Sequence, residues 1–363
     1  MTEFELTPIQ AQFQIRGKLQ SIKPYGDGHI NATFLVQTDQ GRYILQRISR
    51  AAFSSPEEVM ENIVSVTKYL KQQIQKQGGD PLRETLTLVP TNEGGSFYRQ
   101  GEDYFRMYLF IEGAHTYQTV ENPLHFYHAA RAFGRFQNTL RDFPAGQLHE
   151  TIADFHDTPK RYGQLDAAIE ADKAQRRAAV ADELAFVQAR RDNAGVIIQA
   201  LKNRQIPYRV THNDTKLNNV MIDDQTGEGV CVIDLDTVMP GSLLFDFGDA
   251  IRFGANTAAE DERDLSKVSA NMYLFEQFTK GFLEELGSSM TSAETELLAE
   301  SARIMTLECG IRFLADYLNG DVYFHTARPE HNLERARVQF CLVKDMEDKR
   351  DVMEEIVKKY CRT

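Results

Sequence analysis

The segment Val210-Thr-His-Asn-Asp-Thr-Lys-Leu-Asn-Asn-Val-Met-Ile222 sets a carboxylate, Asp214, five residues before an amide, Asn219, in a polar loop that runs into an apolar strand. Downstream, Asp223-Asp-Gln-Thr-Gly227 separates Val220-Met-Ile from a second apolar run, Val230-Cys-Val-Ile, and this predicts a hairpin with polar residues at its ends. Asp234 closes the second strand, fifteen residues after Asn219. A loop, a hairpin and a terminal Asp can aim three oxygen-bearing groups into one cleft. Phosphoryl transfer to a hydroxyl needs such a set: Asp214 to accept the hydroxyl proton, Asn219 and Asp234 to hold Mg2+ against nucleotide phosphates.

With His212 the loop reads H-x-D-x-x-x-x-N, the pattern of a kinase catalytic loop followed by a metal-binding Asp. Asp and Asn at this spacing also occur in loops where they only cap turns. His212, the two strands, the turn between them and Asp234 together favour the catalytic reading. Asp246-Phe-Gly248 spells the protein-kinase metal triplet, but it lies 27 residues beyond Asn219, and Asp234 already occupies the end of the hairpin. The metal role therefore goes to Asp234, and Asp246 is expected to cap or brace the loop that follows it.

Outward from this centre, residues 22–111 suit a small strand-rich lobe. Strands are expected near Ile22, at Thr33-Phe-Leu-Val-Gln, at Arg42-Tyr-Ile-Leu-Gln and at Tyr104 to Ile111, with Asp39-Gln-Gly41 turning the chain between the second and third. One helix interrupts them, with Ser55 at N-cap, Pro56 at N1, Glu58 at N3 and Val59, Ile63, Val66 and Leu70 on one face. After Gly113 long helical patterns dominate, roughly 123–141, 164–203, 266–286, 292–318 and 334–360. The expected class is α+β: a bilobal protein-kinase-like fold, with an antiparallel-sheet lobe over 1–112 for nucleotide and a mostly helical lobe over 113–363 carrying the catalytic loop and the acceptor site.

The 363 residues, 42% hydrophobic and 26% charged with a mean hydropathy of -0.43, have the composition of an ordinary globular protein with a sizeable core. A net charge of -12 argues against binding nucleic acid or an anionic membrane surface. Cys231, Cys309, Cys341 and Cys361 show no C-x-x-C pair and are expected to be reduced and mostly buried. The N-terminus lacks a signal-peptide pattern and no 18-residue apolar run occurs, so a cytoplasmic monomer is expected.

Thr211-His-Asn-Asp-Thr-Lys-Leu-Asn-Asn219 and Ile233-Asp-Leu-Asp236 resemble the aminoglycoside phosphotransferase/choline kinase group, which has the protein-kinase-like fold. Four further strings are similar to the N-acetylhexosamine 1-kinases of that group: Pro24-Tyr-Gly-Asp-Gly-His-Ile-Asn31, Ile233-Asp-Leu-Asp-Thr-Val-Met-Pro-Gly-Ser242, Phe245-Asp-Phe-Gly-Asp-Ala-Ile-Arg-Phe-Gly254 and Glu308-Cys-Gly-Ile-Arg-Phe-Leu-Ala-Asp-Tyr317. The resemblance runs over nearly the whole chain. It implies ATP- and Mg2+-dependent phosphorylation of the anomeric hydroxyl of N-acetylglucosamine or N-acetylgalactosamine.

Within that frame the remaining candidates take roles. Gly26-Asp27-Gly28, by itself a turn rather than a G-x-G-x-x-G fingerprint, stands between strands where backbone N–H groups can approach phosphate. The resemblance sets His29 near the sugar, with Asn31 bordering the loop, and the hinge analogy assigns adenine to the backbone of Leu109 and Ile111. At the third strand, where V-A-I-K would supply a lysine, Gln46 offers a neutral amide, and Arg47 would point to the opposite face. Glu58 and Glu61 are therefore not carried over as ion-pair partners. In the C-terminal helices Arg312 and Asp316 stand four apart and could simply pair on the surface. The resemblance instead implies that Arg312 binds the sugar with Tyr323 nearby, and Asp236 is a further hydroxyl acceptor if the strand persists past Asp234. The rival readings are a kinase for choline or an aminoglycoside, weakened by the absence of Trp for a cation cage, and a catalytically dead nucleotide- or sugar-binding regulator.

Overall fold

The computed structural model describes residues 3–26 and 30–361, so the candidate residues Asp27, Gly28 and His29 lie outside the described residues. The chain groups into two compact units. One takes Met1–His115, Asp142–Ala153 and Val220–Pro240, and the other takes Thr116–Arg141, Asp154–Asn219 and Gly241–Thr363. The α+β expectation holds, with an antiparallel sheet in the N-terminal part and helices in the C-terminal part.

The first unit is built on β1 (Leu19–Pro24), β2 (Ala32–Thr38), β3 (Gly41–Ile48), β4 (Tyr98–Gln100) and β5 (Asp103–Leu109), an antiparallel sheet ordered β1-β2-β3-β5-β4. Strand alternation divides its side chains. Phe34, Leu45 and Met107, opposite one another in register, join Phe13, Ile22, Val36 and Phe105 in a buried core under helix α1 (Glu3–Gln10). The other face carries Thr33, Gln46 and Arg106 side by side, then Leu35, Ile44 and Tyr108. Helix α2 (Pro56–Lys76) buries Val59, Ile63, Val66 and Leu70 as the 3.6-residue spacing requires, each contributing about 1.5–3 kcal/mol. Ser55 is its N-cap residue, but the Ser55 hydroxyl makes no capping bond, and Glu57 instead accepts from the Tyr104 hydroxyl. A second sheet, β6 (Ala114–His115), β8 (Val220–Asp223) and β9 (Gly229–Val232), contains the expected hairpin.

The second unit holds β7 (Arg209–Thr211) and the helices α3 (Pro123–Thr139), α4 (Thr158–Ala171), α5 (Ala181–Gln188), α6 (Val196–Lys202), α7 (Leu243–Gly254), α8 (Met272–Leu286), α9 (Ser292–Asn319), α10 (His331–Asp348) and α11 (Arg350–Tyr360). The single helix expected over 164–203 is in fact three, because Asp172 turns left-handed (φ 36°) and its carboxylate takes the N–H groups of Arg176 and Arg177, ending α4. Helix α7 lies where only motif strings had been read. It packs on α9 through Gly248, where a Cβ would stand 2.5 Å from the Ser301 carbonyl oxygen. The cysteines are all free, but only Cys231 is buried; Cys309 and Cys341 are half-buried and Cys361 is exposed. No helix among the described residues is long and apolar enough to cross a membrane.

Candidate functional site

In the second unit, β7 leads into a loop that closes in the 3-10 turn Leu217–Asn219. Asp214 and Asn219 come together there: Asn219 Nδ2 donates to the Asp214 carbonyl oxygen at 2.8 Å and to Asp214 Oδ2 at 3.1 Å. With Nδ2 so engaged, Oδ1 is the Asn219 atom that can face a cation. Lys216 Nζ lies 2.8 Å from Asp214 Oδ1. Burial opposes ionisation of Asp214, but Lys216, His212 and Arg252 outweigh it and hold the carboxyl below its usual pKa. Asp214 is thus an ionised acceptor, suited to orienting a hydroxyl more than to stripping its proton.

The loop is clamped from below. Asp246, 1% exposed at the start of α7, accepts the Asn213 N–H at 2.7 Å on Oδ1 and the His212 N–H at 3.0 Å on Oδ2, where Gln137 also donates. Asp249 Oδ2 accepts the Thr215 N–H at 3.1 Å, and the Thr215 hydroxyl bonds the Asp246 carbonyl oxygen at 2.5 Å. Asp246 therefore braces the catalytic loop that precedes it, not the segment that follows. Phe247 is wholly buried among Phe275, Phe278 and Phe282, and Gly248 serves the α7–α9 approach, so the Asp-Phe-Gly triplet here is a brace and a packing motif. A third support runs through α9. Glu308 Oε1 lies 2.8 Å from His156 Nδ1 and Glu308 Oε2 accepts from the Thr158 hydroxyl at 2.6 Å, while His156 Nε2 lies 3.2 Å from the Asn213 carbonyl oxygen. Asp249, His156 and Glu308 were not read from the sequence.

Arg312 and Tyr323 also come together. The Arg312 guanidinium carbon sits 5.2, 6.0 and 5.5 Å from the ring centroids of Phe155, Tyr323 and Phe324. The surface pair with Asp316 does not form. Asp316 is buried and accepts the N–H groups of Val322, Tyr323 and Phe324 and the Asn332 amide, all at 2.9–3.0 Å, which fixes the segment bearing Tyr323.

The other candidates lie in the first unit. Asp234, exposed and left-handed (φ 57°), opens a 3-10 turn over Leu235–Thr237. The strand ends at Val232, so Asp236 does not continue a strand face. It is 3% exposed, with Oδ1 on Arg106 Nη1 and Oδ2 accepting from Asn31 Nδ2 at 2.6 Å. Gln46 Oε1 accepts from Arg106 Nε at 3.0 Å, and Gln46 Nε2 donates to the Thr33 hydroxyl at 3.0 Å. Despite its burial, Arg106 is held strongly protonated by Asp236, with Asp234 adding to the effect. Arg47 faces the other way, 3.7 Å from Asp103. On α2, Asn62 Nδ2 donates to the Val238 carbonyl oxygen at 3.0 Å, tying down the segment after Asp236, while Glu61 pairs with His149. The Leu109 N–H goes to the Thr87 carbonyl oxygen at 2.9 Å, which leaves its carbonyl for a base; Ile111 is buried. Gly26 has φ 74° with open space where a Cβ would stand, the conformation and room that a phosphate loop uses.

Asn219 Oδ1 and the Asp234 carboxylate are each hard oxygens of the kind Mg2+ prefers. Among the described residues no group of three or more His, Cys, Asp or Glu could hold a metal ion.

Residues 21–273 match the phosphotransferase enzyme family. The chain belongs to this family. Its fold is shared by the phosphotransferases of known structure. A microcompartment-associated aminopropanol kinase is 16% identical, with a TM-score of 0.64 over 97% of this chain and 98% of that one. The amicoumacin kinase hAmiN, solved in complex with AMP-PNP, Ca2+ and Ami, is 15% identical, TM-score 0.59, over 96% of this chain and 94% of that one. The choline kinase of Cryptosporidium parvum Iowa II is 14% identical, TM-score 0.58, over 99% of both chains. The third strand departs from the protein-kinase V-A-I-K pattern. It carries Gln46, and the buried cation beside it, Arg106, comes from the neighbouring strand and pairs with Asp236.

Proposed function

We propose that the protein is an ATP- and Mg2+-dependent kinase that phosphorylates O1 of N-acetylhexosamines, giving the sugar 1-phosphate and ADP. The observation that carries the phosphotransfer is the ionised Asp214, bonded to Asn219 and fixed by the Asp246 brace. Asp214 accepts the hydrogen bond of the anomeric hydroxyl, aligns its oxygen for in-line attack on the γ-phosphoryl group and takes its proton as the new P–O bond forms. Asn219 and Asp234 are the proposed metal ligands. When bound between these residues and the nucleotide, Mg2+ would supply neutralisation of the charge that builds on the phosphates. Leu109, Ile111 and Gly26 serve the nucleotide.

For the acceptor, Arg312 is the telling residue. Its guanidinium already covers the faces of Phe155, Tyr323 and Phe324, with Arg161 close enough for each to feel the other's charge. An ammonium or quaternary ammonium acceptor would meet cations where an aromatic cage should be. A neutral sugar with hydroxyl and acetamide oxygens would meet N–H donors. This favours N-acetylhexosamine over choline, aminopropanol or an aminoglycoside.

The test is ADP release with N-acetylglucosamine, N-acetylgalactosamine, choline, 1-amino-2-propanol and an aminoglycoside, followed by 31P NMR of the product. Turnover on the N-acetyl sugars with phosphate on O1 is expected. Phosphate on O6, or turnover only with an amine, overturns the acceptor assignment; no turnover with any acceptor beside intact ATP binding would leave a binding protein.

A further inference from the structure

A kinase whose third strand carries Gln46 in place of lysine still has to fix a positive charge against the α- and β-phosphates. One is available on the same sheet face. In the antiparallel register Gln46 stands opposite Arg106, and Thr33 stands opposite Gln46 on the far side. The three form a row across β2, β3 and β5: Arg106 Nε donates to Gln46 Oε1, and Gln46 Nε2 to the Thr33 hydroxyl, both at 3.0 Å. The amide that cannot carry the charge thus aims the group that does. From the opposite side Asp236 holds Nη1, and Asn31, itself bonded to the Ser49 N–H at 3.0 Å, holds the second Asp236 oxygen. Of the five N–H donors of a guanidinium, one on Nε and one on Nη1 are taken by these partners.

A second observation at the same place points to a ligand. Tyr108, two residues along β5 on the same face, is 4% exposed, and its hydroxyl is buried without a hydrogen-bond partner among the described residues. A buried hydroxyl left unbonded costs about 1–3 kcal/mol. The Arg106 guanidinium carbon lies 5.3 Å from the Tyr108 ring centroid. A cation with donors to spare and an unpaired O–H side by side are two convergent donors, and a phosphate oxygen satisfies both.

We propose that Arg106 takes over the β-phosphate contact of the missing strand lysine, held in place by Asp236 and Gln46, with the Tyr108 hydroxyl as a second donor to the same phosphate. The ion pair that kinases form between a strand lysine and a helix glutamate is here made between β5 and the turn after Asp234. This rests on the proposed use of ATP and adds the residues that grip its β-phosphate.

The test compares affinities for AMP, ADP and ATP by calorimetry in wild type, Tyr108→Phe, Arg106→Lys and the paired variant Arg106→Gln/Asp236→Asn. The paired variant is used because removing one partner alone would strand a buried charge, whereas neutralising both spares the fold. Expected are a 10- to 100-fold loss of ADP and ATP affinity in the paired variant, as for losing one charge-assisted bond, a smaller loss in Tyr108→Phe, and AMP binding within about twofold of wild type. If the paired variant does not fold, Arg106→Lys decides, since a shorter, unforked cation should lower the ADP-to-AMP affinity ratio at unchanged melting temperature. An unchanged ratio in the folded variants, or equal losses for all three nucleotides, overturns the proposal. Wild type that fails to prefer ADP to AMP would instead refute the ATP reading, and a wrong sugar assignment would leave every one of these ratios as expected.

Discussion

Asp246→Asn probes how the catalytic loop is held. The wild-type carboxylate serves three donors, the N–H groups of His212 and Asn213 and the Gln137 amide, in a place that water does not reach. An amide keeps the shape but offers one acceptor oxygen. If that oxygen keeps Asn213, the new NH2 faces the His212 N–H. Gln137 can turn over so that its Oε1, now buried without a partner, accepts from that NH2, but the backbone N–H of His212 then faces a donor where the carboxylate oxygen stood. One orphaned buried donor costs about 1–3 kcal/mol, and the surviving bonds lose roughly half their strength once they are no longer charge-assisted. Against this, burial holds the Asp246 pKa above its usual value, so the native carboxylate carries a desolvation cost that the amide escapes. The net expectation is a loss of about 2 kcal/mol in urea unfolding, with kcat down by up to ~10²-fold as Asp214 drifts from its alignment. Unchanged stability together with unchanged kcat would refute the brace. Unchanged stability with a tenfold rise in the Mg2+ concentration needed for half-maximal rate would make Asp246 a metal ligand after all.

Asp214→Asn should keep the fold and lower kcat about 10²–10⁴-fold; near-wild-type turnover would remove Asp214 from the chemistry. Because the folded Asp214 pKa is depressed, its stabilising contribution is present above the unfolded value and is lost as pH falls through the folded one. The acid limb of kcat/KM should therefore lie below about pH 4. In Lys216→Met, which deletes a pair about one-third exposed and worth at most ~1 kcal/mol, that limb should move to higher pH; a fixed limb would show that Lys216 does not set the charge on Asp214. Gly248→Ala should cost about 1–3 kcal/mol in thermal or urea unfolding, because the new methyl meets the Ser301 carbonyl oxygen and Met305 at 2.5 Å; full stability would show that α7 and α9 can separate freely.

What the sequence displayed of the fold follows from what is local. The face of α2 was legible because Val59, Ile63, Val66 and Leu70 recur at helical spacing, and both hairpins because Gly41 and Gly227 stand at turns between alternating runs. The break at Asp172 was hidden: no Pro or Gly marks it, and the surrounding Ala-rich sequence favours helix. Contacts distant in sequence reward the turn, among them the capture of Arg176 by the Tyr317 carbonyl oxygen and Asp321, on and just after α9. Helix α7 escaped although Asp246, Asp249 and Arg252 recur at helical spacing, because all three are buried and held by tertiary partners rather than forming a solvated face. Tertiary contact, absent from any window of sequence, decided both.

The site divides along the same line. Asp214, Asn219 and Asp234 stand out in the sequence as candidates because the proposed chemistry implies their spacing along the chain, whereas the residues that hold Asp214 and its loop are fixed only in space. Glu308 lies 95 positions beyond Asn213, which it reaches through His156, and Arg106 lies 130 positions before Asp236. The strand register is what makes Arg106 intelligible. A lysine at position 46 and an arginine at position 106 project from the same spot on the sheet, one strand apart, so a charge can migrate between strands while its place in space is kept. The sequence then shows a loss at position 46, and the gain sixty residues later reads as an ordinary strand arginine. A missing catalytic cation in a chain of this family is therefore weak grounds for calling it inactive until the residue opposite the gap in the sheet has been identified.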